Sequence, residues 1–146
     1  MRRLFLLLAL CATCLPSAMA DGPSTRVSHV WIREAPPGVD VLGGYFALEN
    51  LTAKPLSLIE VSSPDFGSVM MHQTVQQGGQ ESMQELARID LPARGSVEFK
   101  PGGYHLMLMQ PRKNLAAGDT VTLMLKFSDG SELAILAPVR RDPPLH

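Results

Sequence analysis

His72, Met83, His105 and Met107 stand in the spacing H-x10-M-x21-H-x-M. Two imidazoles and two thioethers make a donor set that is half soft sulfur and contains no thiolate. Such a set prefers Cu(I) to the harder metals. It also suits an oxidising compartment, where thiolates are lost to disulfides. Thioethers form no disulfide and lose no proton on binding, although they can be oxidised to sulfoxide. Imidazole binds metal only when neutral, and its unperturbed pKa lies near ~6.5. Affinity is therefore expected to weaken in acid, because of the histidines and not the methionines.

Taken singly, each of these residues has an ordinary structural explanation. Methionine fills irregular gaps in cores, and a lone histidine is a common surface or hydrogen-bonded residue. Met109 and Met124 read as core or as support behind the ligands. Met70 shares the strand parity of His72, and Met71 is its neighbour; either could substitute as a ligand, with burial the simpler expectation. His29 and His146 have no soft partner nearby in sequence, so surface roles are the default. The joint spacing is what asks for more.

Short apolar stretches separated by turn residues have to position the four. The expected strands are residues 26–33, 44–49, 56–62, 69–74, 83–89, 97–100, 105–109, 121–127 and 132–136. Pro36-Pro37-Gly38, Pro64-Asp65, Gly78-Gly79, Pro101-Gly102-Gly103, Gly118-Asp119 and Asp129-Gly130 punctuate them. At most one helical turn is expected, at residues 114–117. Strands of this length and spacing imply an all-β sandwich or barrel. Period-two alternation places Val121, Leu123, Leu125 and Phe127 on one face, and Ser128–Ser131 as a hairpin turn behind them. The same alternation puts His105, Met107 and Met109 on one face, with Leu106 and Leu108 on the other. His72 and Met83 flank the Gly78-Gly79 turn and could meet that face, which spacing alone does not decide.

The ends set the compartment. Arg2 and Arg3, an apolar run at residues 4–10 and Ala18-Met19-Ala20 before Asp21 read as a cleaved secretory signal peptide at residues 1–20. Residues 21–140 are then the single domain and residues 141–146 a short flexible tail. Cleavage removes Cys11 and Cys14, both of the chain's cysteines, and with them any disulfide, thiolate nucleophile or zinc-thiolate site. Neither cysteine follows a convincing lipobox, so lipid anchoring is the weaker reading. Without Arg2 and Arg3 the 13 Lys and Arg fall to 11 against 14 Asp and Glu, a net charge of about −3. No basic stripe interleaved with aromatics appears, which argues against nucleic acid. No other apolar run approaches the ~20 residues of a membrane span.

The segment from residue 43 to residue 139 resembles the periplasmic copper chaperones of the PCu(A)C type. The H-x10-M-x21-H-x-M spacing carries the resemblance. Gly44-Tyr45-Phe46-Ala47-Leu48-Glu49-Asn50 is similar to that family's early strand, and Pro101-Gly102-Gly103-Tyr104-His105-Leu106-Met107-Leu108-Met109 to its signature strand. Leu115-Ala116-Ala117-Gly118-Asp119 and Ala137-Pro138-Val139 also fit. The resemblance implies a cupredoxin-like Greek-key β-sandwich or barrel. It implies one Cu(I) per chain, held by His72, Met83, His105 and Met107. It further implies a monomeric periplasmic carrier that receives copper from, or passes it to, another copper chaperone or the copper-bearing subunit of cytochrome c oxidase. The chain has no His- and Met-rich tail of the kind some relatives carry, which leaves a second site there without support.

Other functions fit less of the sequence. A blue-copper electron carrier needs a cysteine thiolate. A metal-free adhesion module leaves the four-residue spacing to chance. An enzyme finds no nucleophilic cysteine and no G-x-S-x-G or H-E-x-x-H motif, and Glu81 and Glu85 beside a turn are ordinary solvated charges. A copper buffer with no oxidase to serve would carry the same site as a chaperone.

Overall fold

Glycine and proline punctuation divides the chain into ten strands, as a computed structural model that describes residues 22–144 makes visible. They are β1 (Thr25–Arg33), β2 (Val41–Asn50), β3 (Leu56–Ser62), β4 (Phe66–Gln77), β5 (Gln80–Leu86), β6 (Ile89–Leu91), β7 (Ser96–Phe99), β8 (Tyr104–Pro111), β9 (Thr120–Phe127) and β10 (Glu132–Arg140). Among the described residues there is no helix, so the expected turn at residues 114–117 is not helical. The expected signal peptide and the last two residues of the chain lie outside the described residues.

The strands run side by side in the order β5-β4-β8-β7-β2-β1-β10-β9-β3-β6. A short parallel pairing of Ile32 and Arg33 with Val139 and Arg140 joins the two halves. The halves curl so that their inner faces share one core. Phe46, Leu48, Leu106 and Leu108 line it from one side, and Leu58, Leu123, Leu125 and Phe127 from the other. The alternation on β9 is as its sequence implies: Val121, Leu123, Leu125 and Phe127 are all buried. The fold is an all-β, cupredoxin-like one.

One expected strand is two. Residues 83–89 divide between β5 and β6, which lie at opposite edges of the strand order. Leu86 points inward beside Met71, and Ile89 and Leu91 are buried too. Residues 86 and 89 have opposite parity on a continuous strand, so the chain must break between them to bury both. It does so at Ala87-Arg88 and changes halves.

Two devices hold the layout. Gly78 and Gly79 have φ of 59° and 79°, the left-handed pair that a two-residue hairpin turn requires. They fix β5 against β4 from Gln77↔Gln80 to Met71↔Leu86. Asn50 is fully buried and ties three segments together. Its amide donates to the carbonyls of Lys54 (2.8 Å), Pro92 (3.1 Å) and Leu91 (3.4 Å). Its oxygen accepts from the backbone and hydroxyl of Thr52 at 2.9 and 2.8 Å. A buried amide with its valences filled is a specific clamp where an apolar residue would leave carbonyls orphaned.

Candidate metal centre

The site forms where β8 parts from β2. The first half of β2 pairs with β8, from Val41↔Met109 to Gly44↔Leu106. Its second half pairs with β7, from Phe46↔Phe99 to Glu49↔Ser96. β7 and β8 thus follow one another alongside β2, and Lys100-Pro101-Gly102-Gly103 loops out between them. The loop is closed by Gly103 N donating to Lys100 O (3.0 Å) and Lys100 N donating to Tyr104 O (2.8 Å). His105 follows it as the second residue of β8.

Register places the other residues. His72 on β4 lies opposite His105, and Met70 opposite Met107. On the far side of β4, Thr74 lies opposite Met83 and His72 opposite Glu85. Directly opposed residues share a face, as do residues two apart on one strand. His72, Met83, His105 and Met107 therefore all occupy the outer face of the β5-β4-β8 sheet. Met70 and Met109 share that face. Met71, Leu106 and Leu108 point the other way, into the core.

The histidines are packed together, with ring centroids 5.8 Å apart and ring planes inclined at 55°. His105 is 7% exposed. Its Nδ1 lies 3.1 Å from the Gly103 carbonyl oxygen. A carbonyl only accepts, so this contact puts the proton on Nδ1 and leaves the Nε2 lone pair free. That is how histidine ligands are commonly oriented, by a hydrogen bond on the nitrogen away from the metal. The same carbonyl accepts from Thr74 N at 3.1 Å, which anchors the loop to β4.

Three of the four imidazole nitrogens, His72 Nδ1, His72 Nε2 and His105 Nε2, are buried without a hydrogen-bond partner. Buried polar atoms are nearly always satisfied, and an exception calls for an explanation such as an ion. Lone pairs beside thioethers suit a soft monovalent metal, so these residues fit Cu(I). Among the described residues, no three His, Cys, Asp or Glu side chains converge as a metal site. The cluster becomes a donor set only when its sulfurs are counted.

The remaining ligand candidates differ in exposure. Met107 is half-buried, whereas Met83 is 60% exposed on the edge strand β5. One wall was not foreseen. A Cβ on Gly43, which lies opposite Met107, would come within 2.7 Å of the Tyr45 hydroxyl. Tyr45 therefore lies flat over Gly43, and its ring centroid is 4.8 Å from that of Trp31. The Gly43-Gly44 pair inside a strand is the sequence signal of such a close approach. Met70 also departs from expectation. It is half-buried on the outer face, while Met71 is the core residue.

The chain was matched by known proteins over most of its length. The family model described as "Putative lipoprotein LpqE-like" matches residues 25–139. Lxx21020 of Leifsonia xyli subsp. xyli (strain CTCB07) is 32% identical over 86% of this chain and 74% of its own length. RP573 of Rickettsia prowazekii (strain Madrid E) is 32% identical over 84% of this chain and 71% of its own. Among solved structures, the copper-bound PCuAC domain from PmoF2 superposes with a TM-score of 0.70 at 28% identity, covering 82% of this chain and 95% of that one. The solution structure of CuI-DR1885 from Deinococcus radiodurans gives 0.68 at 28% identity, over 86% and 84%.

Proposed function

The chain belongs to the LpqE-like family, and from that premise we propose that it is a non-enzymatic Cu(I) carrier working outside the cytoplasm. His72, Met83, His105 and Met107 hold one ion, and the copper is cargo. The observation that carries this reading is the set of partnerless buried imidazole nitrogens on the same face as the thioethers. Its likeness to the copper-bound PmoF2 domain and to CuI-DR1885 supports it.

Release follows from the exposure gradient. Met83 stands at the sheet edge within reach of an incoming donor, while His105 is enclosed and held by Gly103. Exchange begins as an acceptor's sulfur or imidazole replaces Met83, and the enclosed histidines let go after it. Ligands are swapped one at a time, so copper is never free and never changes oxidation state. The acceptor in this reading is the copper-bearing subunit of cytochrome c oxidase or an intermediary chaperone.

Titration of Cu(I) into the protein against a competing chelator tests the site. Tight binding of one equivalent is expected, and its loss in a His105→Ala, Met107→Ala double variant; unchanged binding in that variant removes the assignment. Deletion of the gene at limiting copper tests delivery. A fall in oxidase activity is expected, and an unaffected oxidase assigns the protein to copper buffering instead. The family's lipoprotein description favours a second reading of the N-terminus, with a lipid on Cys11 or Cys14 in place of simple cleavage before Asp21. The mass of the mature protein separates the two.

A further inference from the structure

The outer face of β4 and β8 carries two thioethers that the four-residue site does not use. Met70 is directly opposite Met107, and Ser68 opposite Met109. Opposed residues on one face have Cβ atoms about 4.5–5.5 Å apart, and diagonal ones about 7–8 Å. Methionine adds three rotatable bonds to that reach. All three side chains are half-buried, neither sealed in the core nor fully solvated. The core below them is already filled by Val69, Met71, Leu106 and Leu108. An outward strand face is ordinarily polar, so three methionines there need a reason. Their flanking neighbours on β2, Val41 and Gly43, offer no competing side-chain donor.

We propose that Met70, Met107 and Met109 form a second, all-thioether Cu(I) station beside the histidine site, sharing Met107 with it. The proposal rests on the Cu(I)-carrier reading and deepens it. Three neutral thioethers leave the charge of the ion undiminished, which suits a monovalent soft metal and not a divalent one. Because Met107 is common to both, the stations hold a single ion alternately. In the shift, bonds from copper to His72, His105 and Met83 break as bonds to Met70 and Met109 form. The Met107 bond is retained, no proton or electron moves, and the metal stays Cu(I). Copper thereby slides along the face by one register step, away from the imidazoles and toward Val41.

The test removes the imidazoles and asks whether copper stays. A His72→Ala, His105→Ala variant of the full chain is titrated with Cu(I) against a chelator, and its metal environment is read by X-ray absorption. One equivalent is expected to remain, bound more weakly than in the wild type and with only sulfur neighbours. Adding Met70→Leu and Met109→Leu, substitutions that conserve volume, should lower that residual affinity by about tenfold or more. The same two leucines in the wild-type background should change affinity much less. No binding in the double-alanine variant of a chain whose wild type binds overturns the station and leaves the carrier reading standing. So does residual binding that the leucines do not alter. Failure of the wild type to bind Cu(I) overturns the carrier reading itself.

Discussion

His105 and Met83 are the two extremes of the site, one enclosed and oriented and the other exposed. Met83→Leu is expected to weaken Cu(I) binding by about tenfold and to speed transfer to a chelator. His105→Ala is expected to cost more, because the enclosed, oriented ligand is lost. Chelator competition and stopped-flow transfer measure both, and equal effects would contradict a graded release. Much of this was legible in the sequence. Alternation alone put His105 and Met107 on one face, and that is where register places them. The adjacent pair Met70-Met71 was not legible, because parity says that the two residues face opposite ways but not which way is in. Burial settles it: Met71 lies against Leu106 and Leu86 in the core. The wall of Tyr45 over Gly43 was not legible, because a strand glycine signals a close approach without naming what approaches.

Strands decide whether the residues meet at all. Asn50 is the clearest case, since its amide and oxygen bind the β2–β3 and β6–β7 connections to the end of β2. Asn50→Ala leaves those carbonyls and the Thr52 amide short of a partner, and should lower stability by about 2–4 kcal/mol. Denaturant unfolding measures it, and a loss below about 0.5 kcal/mol would show the clamp to be dispensable. Gly43→Ala acts more locally. Its Cβ would stand 2.7 Å from the Tyr45 hydroxyl, so the ring must lift, at an expected cost of about 1–3 kcal/mol. A changed tyrosine and tryptophan fluorescence should accompany it, since the Trp31 ring packs against that of Tyr45 at a tilt of 32°. Strand existence was read well from sequence, and strand lengths less well: β4 runs three residues further at each end than the apolar run at residues 69–74. Its extension at Val75-Gln76-Gln77 is held by hairpin pairing with β5, which hydrophobic patterning does not report. The end-to-end placement of β7 and β8 along β2 was likewise invisible, because Pro101-Gly102-Gly103 reads as a reversal, whereas both strands run antiparallel to β2 and so in the same direction.

Taken whole, the protein is a sheet curled around a single core, with its chemistry on one outer face. Its response to acid should have two parts. The carboxyl of Glu34 is held below its ordinary range by the Ala117 backbone N–H and then by Arg141, that of Asp90 by the Ser57 hydroxyl and then by Arg88, and that of Asp129 by Ser131. A depressed carboxyl stabilises the fold above its unfolded pKa, and that contribution fades as pH falls through the folded one. The share of apo-protein stability that these carboxyls hold should therefore decline below about pH 4, modestly, because these groups are solvent-screened. Copper affinity should fall in acid for a separate reason, because only a neutral imidazole binds the metal. Thermal unfolding of the apo form and chelator competition across pH separate the two, and coincident profiles would contradict the division. At neutral pH, bound copper should raise the melting temperature in proportion to the logarithm of free metal. The most direct test of the central claim is X-ray absorption of the Cu(I)-loaded wild-type protein at one equivalent. Two nitrogen and two sulfur neighbours are the predicted result, and a shell of oxygen donors, or one without nitrogen, would contradict it.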